Sequence, residues 1–267
     1  MMKKIILNLL ISFFIFSCSQ TITNNDNADN KTINWNSESG IKMFERSEYK
    51  QDFYELSGFF QPQINPLYCG IASSVIILNA TNSNQNIPSQ KELEIEKPDI
   101  FGGGIIPFKS YSQMSFLNKQ TDLVKKKEII SMKNINDKRE NIDPGVTLKQ
   151  LKEILEIHNL EVKKYHVKEY SEQELKLFRE KVKKITEDKE KYLLVNFNGK
   201  KLGLTTGGHI SPLVAYDQKS DSALVMDVAG HKNSWYWVKI KDLLQSMNTK
   251  DCDNYRGYLI IKNKSNI

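Results

Sequence analysis

Hydrophobic and polar positions divide the chain into a helical front and a β-rich back. Ile71-Ala-Ser-Ser-Val-Ile-Ile-Leu-Asn-Ala80 reads as an apolar helix that starts at Cys69, behind the extended, proline-containing approach Gln63-Ile64-Asn65-Pro66-Leu67-Tyr68. Leu148, Leu151, Ile154 and Leu155 recur with helical spacing and predict a helix over Thr147 to His158. Ser171 and Glu174 form a capping-box pattern that opens a further helix running to about Lys191. Beyond it the period shortens. Tyr192 to Phe197, His209 to Tyr216, Ala223 to Val228, Trp235 to Ile240 and Gly257 to Ile261 are five short β-rich runs between turn residues, and Glu161 to Val167 is a shorter one. The expected class is α+β, a helical first half packed on an antiparallel sheet second half. Gly102-Gly103-Gly104 reads as a flexible loop, because no Lys-Ser/Thr follows it as a phosphate loop requires.

The N-terminus has a different texture. Lys3-Lys4 precedes an apolar run, Ile5 to Phe16, too short for the ~20 residues that span a bilayer, and the run closes on Ile15-Phe16-Ser17-Cys18. This reads as a secretory signal ending in a bacterial lipobox, with Cys18 the lipidated first residue of an exported, membrane-anchored protein in the periplasm or at the cell surface. Residues 19–40, rich in Asn, Asp, Thr and Ser, read as a flexible tether, and residues 41–267 as one catalytic domain.

Charge and cysteine count narrow the chemistry. The formal charge is +6, and +4 without Lys3 and Lys4. That basicity is too mild, and too little interleaved with aromatics, to argue for nucleic acid. Cys18, Cys69 and Cys252 are the three cysteines, and neither they nor His158, His166, His209 and His231 show metal-ligand spacing. His158, at the end of its helix, is read as a dipole partner or surface residue, and His166 as a surface residue.

Cys69 stands out because a thiol at the first turn of a helix feels the positive end of the helix dipole, which favours thiolate. Gly70 removes bulk beside the sulfur, and Gln63, six residues upstream, can present an amide as an oxyanion donor. A buried cysteine capping a core helix is the competing reading for Cys-Gly alone. His209 follows two glycines and opens a strand, so its ring can face the helix. Asp227, eighteen residues on at the end of the next run, is placed to orient it, leaving the other ring nitrogen for Cys69. A cysteine on a front helix and a histidine on a back strand form the arrangement of papain-like enzymes.

Several separated stretches then share one resemblance. Gln63 with Cys69-Gly70-x-Ala72-Ser73 and Leu78-Asn79-Ala80, Gly207-Gly208-His209-x-Ser211-Pro212, Leu224 to Ala229, Trp237-Val238, Met247-x-Thr249-x-Asp251 and Arg256-Gly257-Tyr258 resemble the catalytic domain of phytochelatin synthase over roughly Ile41 to Lys262. The resemblance implies a papain-like fold and a γ-glutamylcysteine dipeptidyl transferase acting on glutathione, mainly by hydrolysis. Its implied residues are Cys69 as nucleophile, His209 as base, Asp227 as orienter and Gln63 in the oxyanion hole, with Asp251 and Arg256 near the γ-glutamyl group. No cofactor is implied, and Cd or Zn ions enter as metal-thiolate complexes of the substrate. The chain resembles the short bacterial members rather than the plant enzymes with their Cys-rich C-terminal region, and Gly230 stands where the family commonly has Arg. A papain-type peptidase of a peptide substrate and an inactive thiol- or metal-binding lipoprotein are the alternative readings.

Overall fold

The computed structural model describes residues 30–81, 87–130, 145–252 and 254–264. The signal segment, Cys18 and the first part of the tether lie outside the described residues. The chain begins with strand β1 (Thr32–Asn34) and helices α1 (Glu38–Arg46), α2 (Gln51–Ser57) and α3 (Cys69–Thr81). A small hairpin, β2 (Ile95–Glu96) and β3 (Ile105–Ile106), and the short α4 (Lys127–Ile130) follow. Then come α5 (Leu148–Ile157), β4 (Leu160–His166), α6 (Glu172–Thr186), β5 (Lys191–Asn198), β6 (Gly208–Asp217), β7 (Ser222–Val225), β8 (Tyr236–Lys239) and α7 (Ile240–Met247). The short pair β9 (Lys250–Asp251) and β10 (Asn254–Tyr255) leads into β11 (Gly257–Asn263).

The main sheet is seven-stranded and antiparallel, in the order β1-β8-β7-β6-β5-β11-β4. Strict alternation along β5 explains how one sheet serves two cores. Tyr192 and Leu194 point to the face covered by α3 and α5, whereas Leu193, Val195 and Phe197 point to the face covered by α6 and α7. Each large side chain so buried contributes roughly 1.5–3 kcal/mol of transfer free energy. The protein is therefore a mixed α+β fold, but its helices are not segregated into a first half. The sheet recruits β1 from the front of the chain, and two helices from its back cover the second face.

The expected tether is shorter than residues 19–40. Thr32–Asn34 pair with Val238, Trp237 and Tyr236 of β8, and Trp35 packs on Trp235 with ring centroids 5.0 Å apart. Two apolar residues in a polar stretch suffice here because the neighbouring edge supplies their partners. The third predicted helix stops at Thr186 instead of about Lys191, where β5 takes over. Its start is as read, with Ser171 accepting from the Glu174 N–H, and the start of α5 adds a full capping box between Thr147 and Gln150. Gly102, Gly103 and Gly104 all have positive φ and turn the chain between β2 and β3. Among the described residues no helix is long and apolar enough to cross a membrane.

Candidate active site

Helix α3 is buried from Gly70 to Leu78 on all sides, between the sheet and the layer formed by α2, α5 and the segment Tyr111–Leu117. That burial is why its sequence shows no polar face. Gly70 is required by packing: a Cβ there would meet Val146 at 3.1 Å, Ile210 at 3.3 Å and Leu151 at 3.4 Å. Its missing side chain thus faces the core. Ser73, one turn on, donates to Cys69 O at 2.8 Å and lies 3.1 Å from Ile210 O, binding the helix start to β6.

The second residue of β6 is His209, 3 % exposed. The β6–β7 hairpin carries a register shift between Leu213 and Ala215 and brings Asp227, fully buried, beside it. His209 Nε2 donates to Asp227 Oδ1 at 2.7 Å, with Ser211 Oγ 3.0 Å from the same nitrogen. A carboxylate can only accept, so Nε2 carries a proton and Nδ1 is the nitrogen left for the hydrogen bond with Cys69. His209 is thus hydrogen-bonded to Asp227 on one side and acts on the Cys69 thiol on the other.

The electrostatics of these three residues favour an ion pair. Burial pushes the Cys69 thiol up, but the hydrogen bond and charge of His209 and the N–H groups of Ile210 and Gly70 outweigh it and hold the thiol below its ordinary value. Burial pushes His209 down, yet the charge and hydrogen bond of Asp227 and the adjacent Cys69 carry it up to about 10. Asp227 is opposed by burial but held below the usual carboxylate range by His209, the Ala229 N–H and Asn233. Its contacts are 2.7 Å from Ala229 N and 3.1 Å from Asn233 Nδ2. Both shifts favour thiolate and imidazolium, the charge state of a cysteine nucleophile.

Gln63 is buried on the approach to α3, its N–H donating to Val228 O at 2.8 Å and its Nε2 to Asn65 O at 2.9 Å. One amide hydrogen of Nε2 remains after that bond. Asp251 and Arg256 come together as predicted, and the structure adds Asn196 between them. Arg256 Nη2 lies 3.3 Å from Asp251 Oδ1, Arg256 Nη1 donates to Asn196 Oδ1 at 2.8 Å, and Asn196 Nδ2 donates to Asp251 Oδ2 at 2.9 Å. The registers that pair Asn196 with Ile210 and with Gly257 place this cluster next to the His209 end of β6. A cavity of about 140 Å³ adjoins it, lined in part by Thr147, His166, Asp251 and Tyr255.

Sequence reading missed Asn196 and Asn233 and gave Ser211 no role beyond its place in the motif, since an isolated polar residue carries no signal until its neighbours are known. Two histidines are less exposed than a surface reading implies. His158 is buried, 2.8 Å from Phe116 O and stacked on the Phe116 ring, and His166 is half-buried with Nδ1 2.5 Å from Tyr255 O. Gly230 is exposed beside Pro62, where a Cβ would make an ordinary 3.5 Å contact. Cys69 and Cys252 are both free thiols. Among the described residues no group of three or more His, Cys, Asp or Glu side chains is placed to hold a metal ion.

Comparison with known proteins agrees with this site. The family model described as phytochelatin synthase matches residues 24–258. Glutathione gamma-glutamylcysteinyltransferase 3 of Lotus japonicus is 24% identical over 213 residues, 79% of this chain and 37% of that protein. Glutathione gamma-glutamylcysteinyltransferase 1 of Arabidopsis thaliana is 24% identical over 234 residues, 86% of this chain and 41% of its own. The Schizosaccharomyces pombe glutathione gamma-glutamylcysteinyltransferase is 23% identical over 214 residues, 79% of this chain and 44% of its own. The chain thus spans about two fifths of the length of these relatives. With the family model covering most of its length, this chain belongs to the phytochelatin synthase family.

Proposed function

We propose that this protein is a papain-like acyl-transfer enzyme that cleaves the Cys–Gly bond of glutathione through a γ-Glu-Cys acyl-enzyme. The observation that carries the reading is the Cys69–His209–Asp227 set in a chain of this family. A cysteine at a helix start facing a strand histidine is also what supports the papain-like architecture.

The Cys69 thiolate attacks the carbonyl carbon between Cys and Gly. The oxyanion that forms is held by the Gln63 amide and the Cys69 N–H, and loss of one such donor typically costs ~3 kcal/mol of barrier lowering. Imidazolium His209 gives its Nδ1 proton to the departing glycine amine as the C–N bond breaks. Neutral His209 then takes a proton from the acceptor. Water as acceptor releases γ-Glu-Cys; the amine of a second glutathione as acceptor extends the chain to a phytochelatin. Water stands at roughly 55 M, so transfer requires an acceptor site of large effective molarity, and we assign mainly hydrolysis. The γ-glutamyl end carries both an ammonium and a carboxylate, which match Asp251 and Arg256 in sign. Heavy-metal ions act in this reading as metal-thiolate complexes of the substrate.

The test is glycine release and product mass from the purified protein with reduced glutathione, with and without Cd²⁺ or Zn²⁺, beside Cys69→Ala. Equimolar glycine and γ-Glu-Cys, lost in the variant, is the expected result; (γ-Glu-Cys)n-Gly products would move the assignment to synthesis. No glycine under either condition would overturn it. The same reading makes the protein an exported lipoprotein anchored through Cys18. Membrane association that survives high salt and is lost in Cys18→Ser is the expected result there.

A further inference from the structure

Gln63 lies on a segment, Gln61–Ile64, that has no regular secondary structure. Its place relative to Cys69 is therefore set by contacts from outside. On one side the Gln63 N–H is held by Val228 O, next to Asp227. On the other stands Gln113, 2 % exposed, which no motif marked. Gln113 Oε1 accepts from the Ile64 N–H at 3.0 Å, while Nε2 donates to Pro62 O at 2.8 Å and to Gln61 Oε1 at 3.1 Å. One buried carboxamide thus spends both donors and its acceptor on the residues flanking Gln63.

Gln113 is itself tied to the helix that carries the nucleophile. Asn79, in the last turn of α3, donates through Nδ2 to Tyr111 O at 2.9 Å and accepts at Oδ1 from the Tyr111 N–H at 2.9 Å. The connection closes on itself: Cys69 begins α3, Asn79 near its end holds Tyr111, and Gln113 two residues on holds the strand of chain that brings Gln63 back to Cys69. Gln63 needs that support. Among the described residues its buried Oε1 has no hydrogen-bond partner, and its side chain is anchored by the bond to Asn65 O. An oxyanion donor must be held to within about 0.5 Å of its working position.

We infer that Gln113, docked on α3 by Asn79, is a positioning residue that sets the Gln63 amide at the oxyanion site. The inference rests on the reading of Gln63 as oxyanion donor, and its test must separate the two. Acetylation by p-nitrophenyl acetate serves, because Cys69 Sγ attacks the ester carbonyl, an oxyanion forms, and p-nitrophenolate leaves with the acetyl group on sulfur. Alkylation by iodoacetamide displaces iodide from the same sulfur without an oxyanion. Both rates are read at Cys69 by mass spectrometry of quenched samples, for the wild type, Gln63→Ala, Gln113→Ala and the double variant.

The expected result is acetylation slowed tenfold or more in Gln113→Ala with alkylation unchanged, and no further slowing when Gln113→Ala is added to Gln63→Ala. Gln113→Glu, which keeps the acceptor for the Ile64 N–H and loses the donors, falls between. Full effect of Gln113→Ala in the Gln63→Ala background, or equal slowing of both reactions, overturns the positioning role and leaves Gln63 standing. Unchanged acetylation in Gln63→Ala overturns both. If Gln113→Ala does not fold, Gln113→Glu carries the same cycle.

Discussion

The guanidinium of Arg256 lies across the backbone of Gly208, the residue before His209: a Cβ on Gly208 would stand 2.6 Å from Nη2, 2.7 Å from Nη1 and 2.9 Å from Cζ. The absence of one side chain lets the Arg256–Asp251–Asn196 cluster close onto the backbone beside His209. Gly208→Ala is therefore expected to displace Arg256 and leave the histidine in place. In glutathione kinetics KM should rise about tenfold or more, with the iodoacetamide reactivity of Cys69 unchanged. A drop in alkylation with normal KM would show that the backbone, not Arg256, had moved.

The ion pair makes a pH prediction. Thiolate forms below the ordinary cysteine value because His209 and the local N–H groups outweigh burial. In His209→Ala, burial acts with much less opposition, so the alkylation midpoint should climb toward or above 9 and the rate at pH 7 should fall at least tenfold, one pH unit being a factor of ten. On the alkaline side, activity in the wild type should decline as His209 loses its proton near pH 10. An unchanged midpoint in His209→Ala would remove the histidine from the pair.

Stability carries the same signs. Asp227 is depressed in the fold, so its contribution is present above about pH 4 and lost as pH falls through its folded value; His209 is raised, so its contribution is full below its unfolded value near 6.5 and lost as pH rises toward about 10. Asp227→Asn should therefore lose most stability in the window between, near pH 5 to 6. Urea denaturation from pH 4 to 10 measures this, and a destabilisation uniform across that range would assign Asp227 a packing role only.

Asp52 of α2 is a buried carboxyl with no hydrogen-bond partner for either oxygen among the described residues, and burial, with the charges of Glu55 and Asp188, pushes it well above the carboxylate range. Here the sign is opposite. The unfolded chain ionises near pH 4 while the folded one stays neutral, so this residue removes stability as pH rises, by up to about 1.4 kcal/mol per unit. Asp52→Asn should flatten the fall in unfolding free energy between pH 4 and 7. The same slope in the variant would mean that the carboxyl is ionised in the fold.

Edge strand β1 and Trp35 predict where the fold starts. A chain beginning at residue 41 loses the β1–β8 pairing and the Trp35–Trp235 contact, and should melt well below one beginning at residue 30. Trp35→Ala alone should cost about 2–3 kcal/mol, somewhat less than a fully buried tryptophan. Equal melting temperatures for the two chains would return residues 32–40 to the tether.

Period and local chemistry were enough to find most elements: the alternation of β5, the four-residue spacing of α5 and the Ser171 cap act between near neighbours in the chain. Cys69, His209 and Asp227 were legible as candidates for the same reason, since a cysteine at a helix start and a histidine and aspartate eighteen residues apart on a hairpin are local patterns. Gln113 and Asn196, by contrast, act on residues about 50 to 60 positions away, and polar side chains of this kind have no sequence signature. The packing demand on Gly70 was not legible, because its neighbours Val146, Leu151 and Ile210 come from distant parts of the chain. Ile33 and Trp35 looked like noise in a polar stretch until β8 and Trp235 gave them partners. Local propensity sets the elements and the reacting groups; which polar residue supports which is decided by sheet register and helix docking, long-range contacts that exist only once the apolar faces have closed.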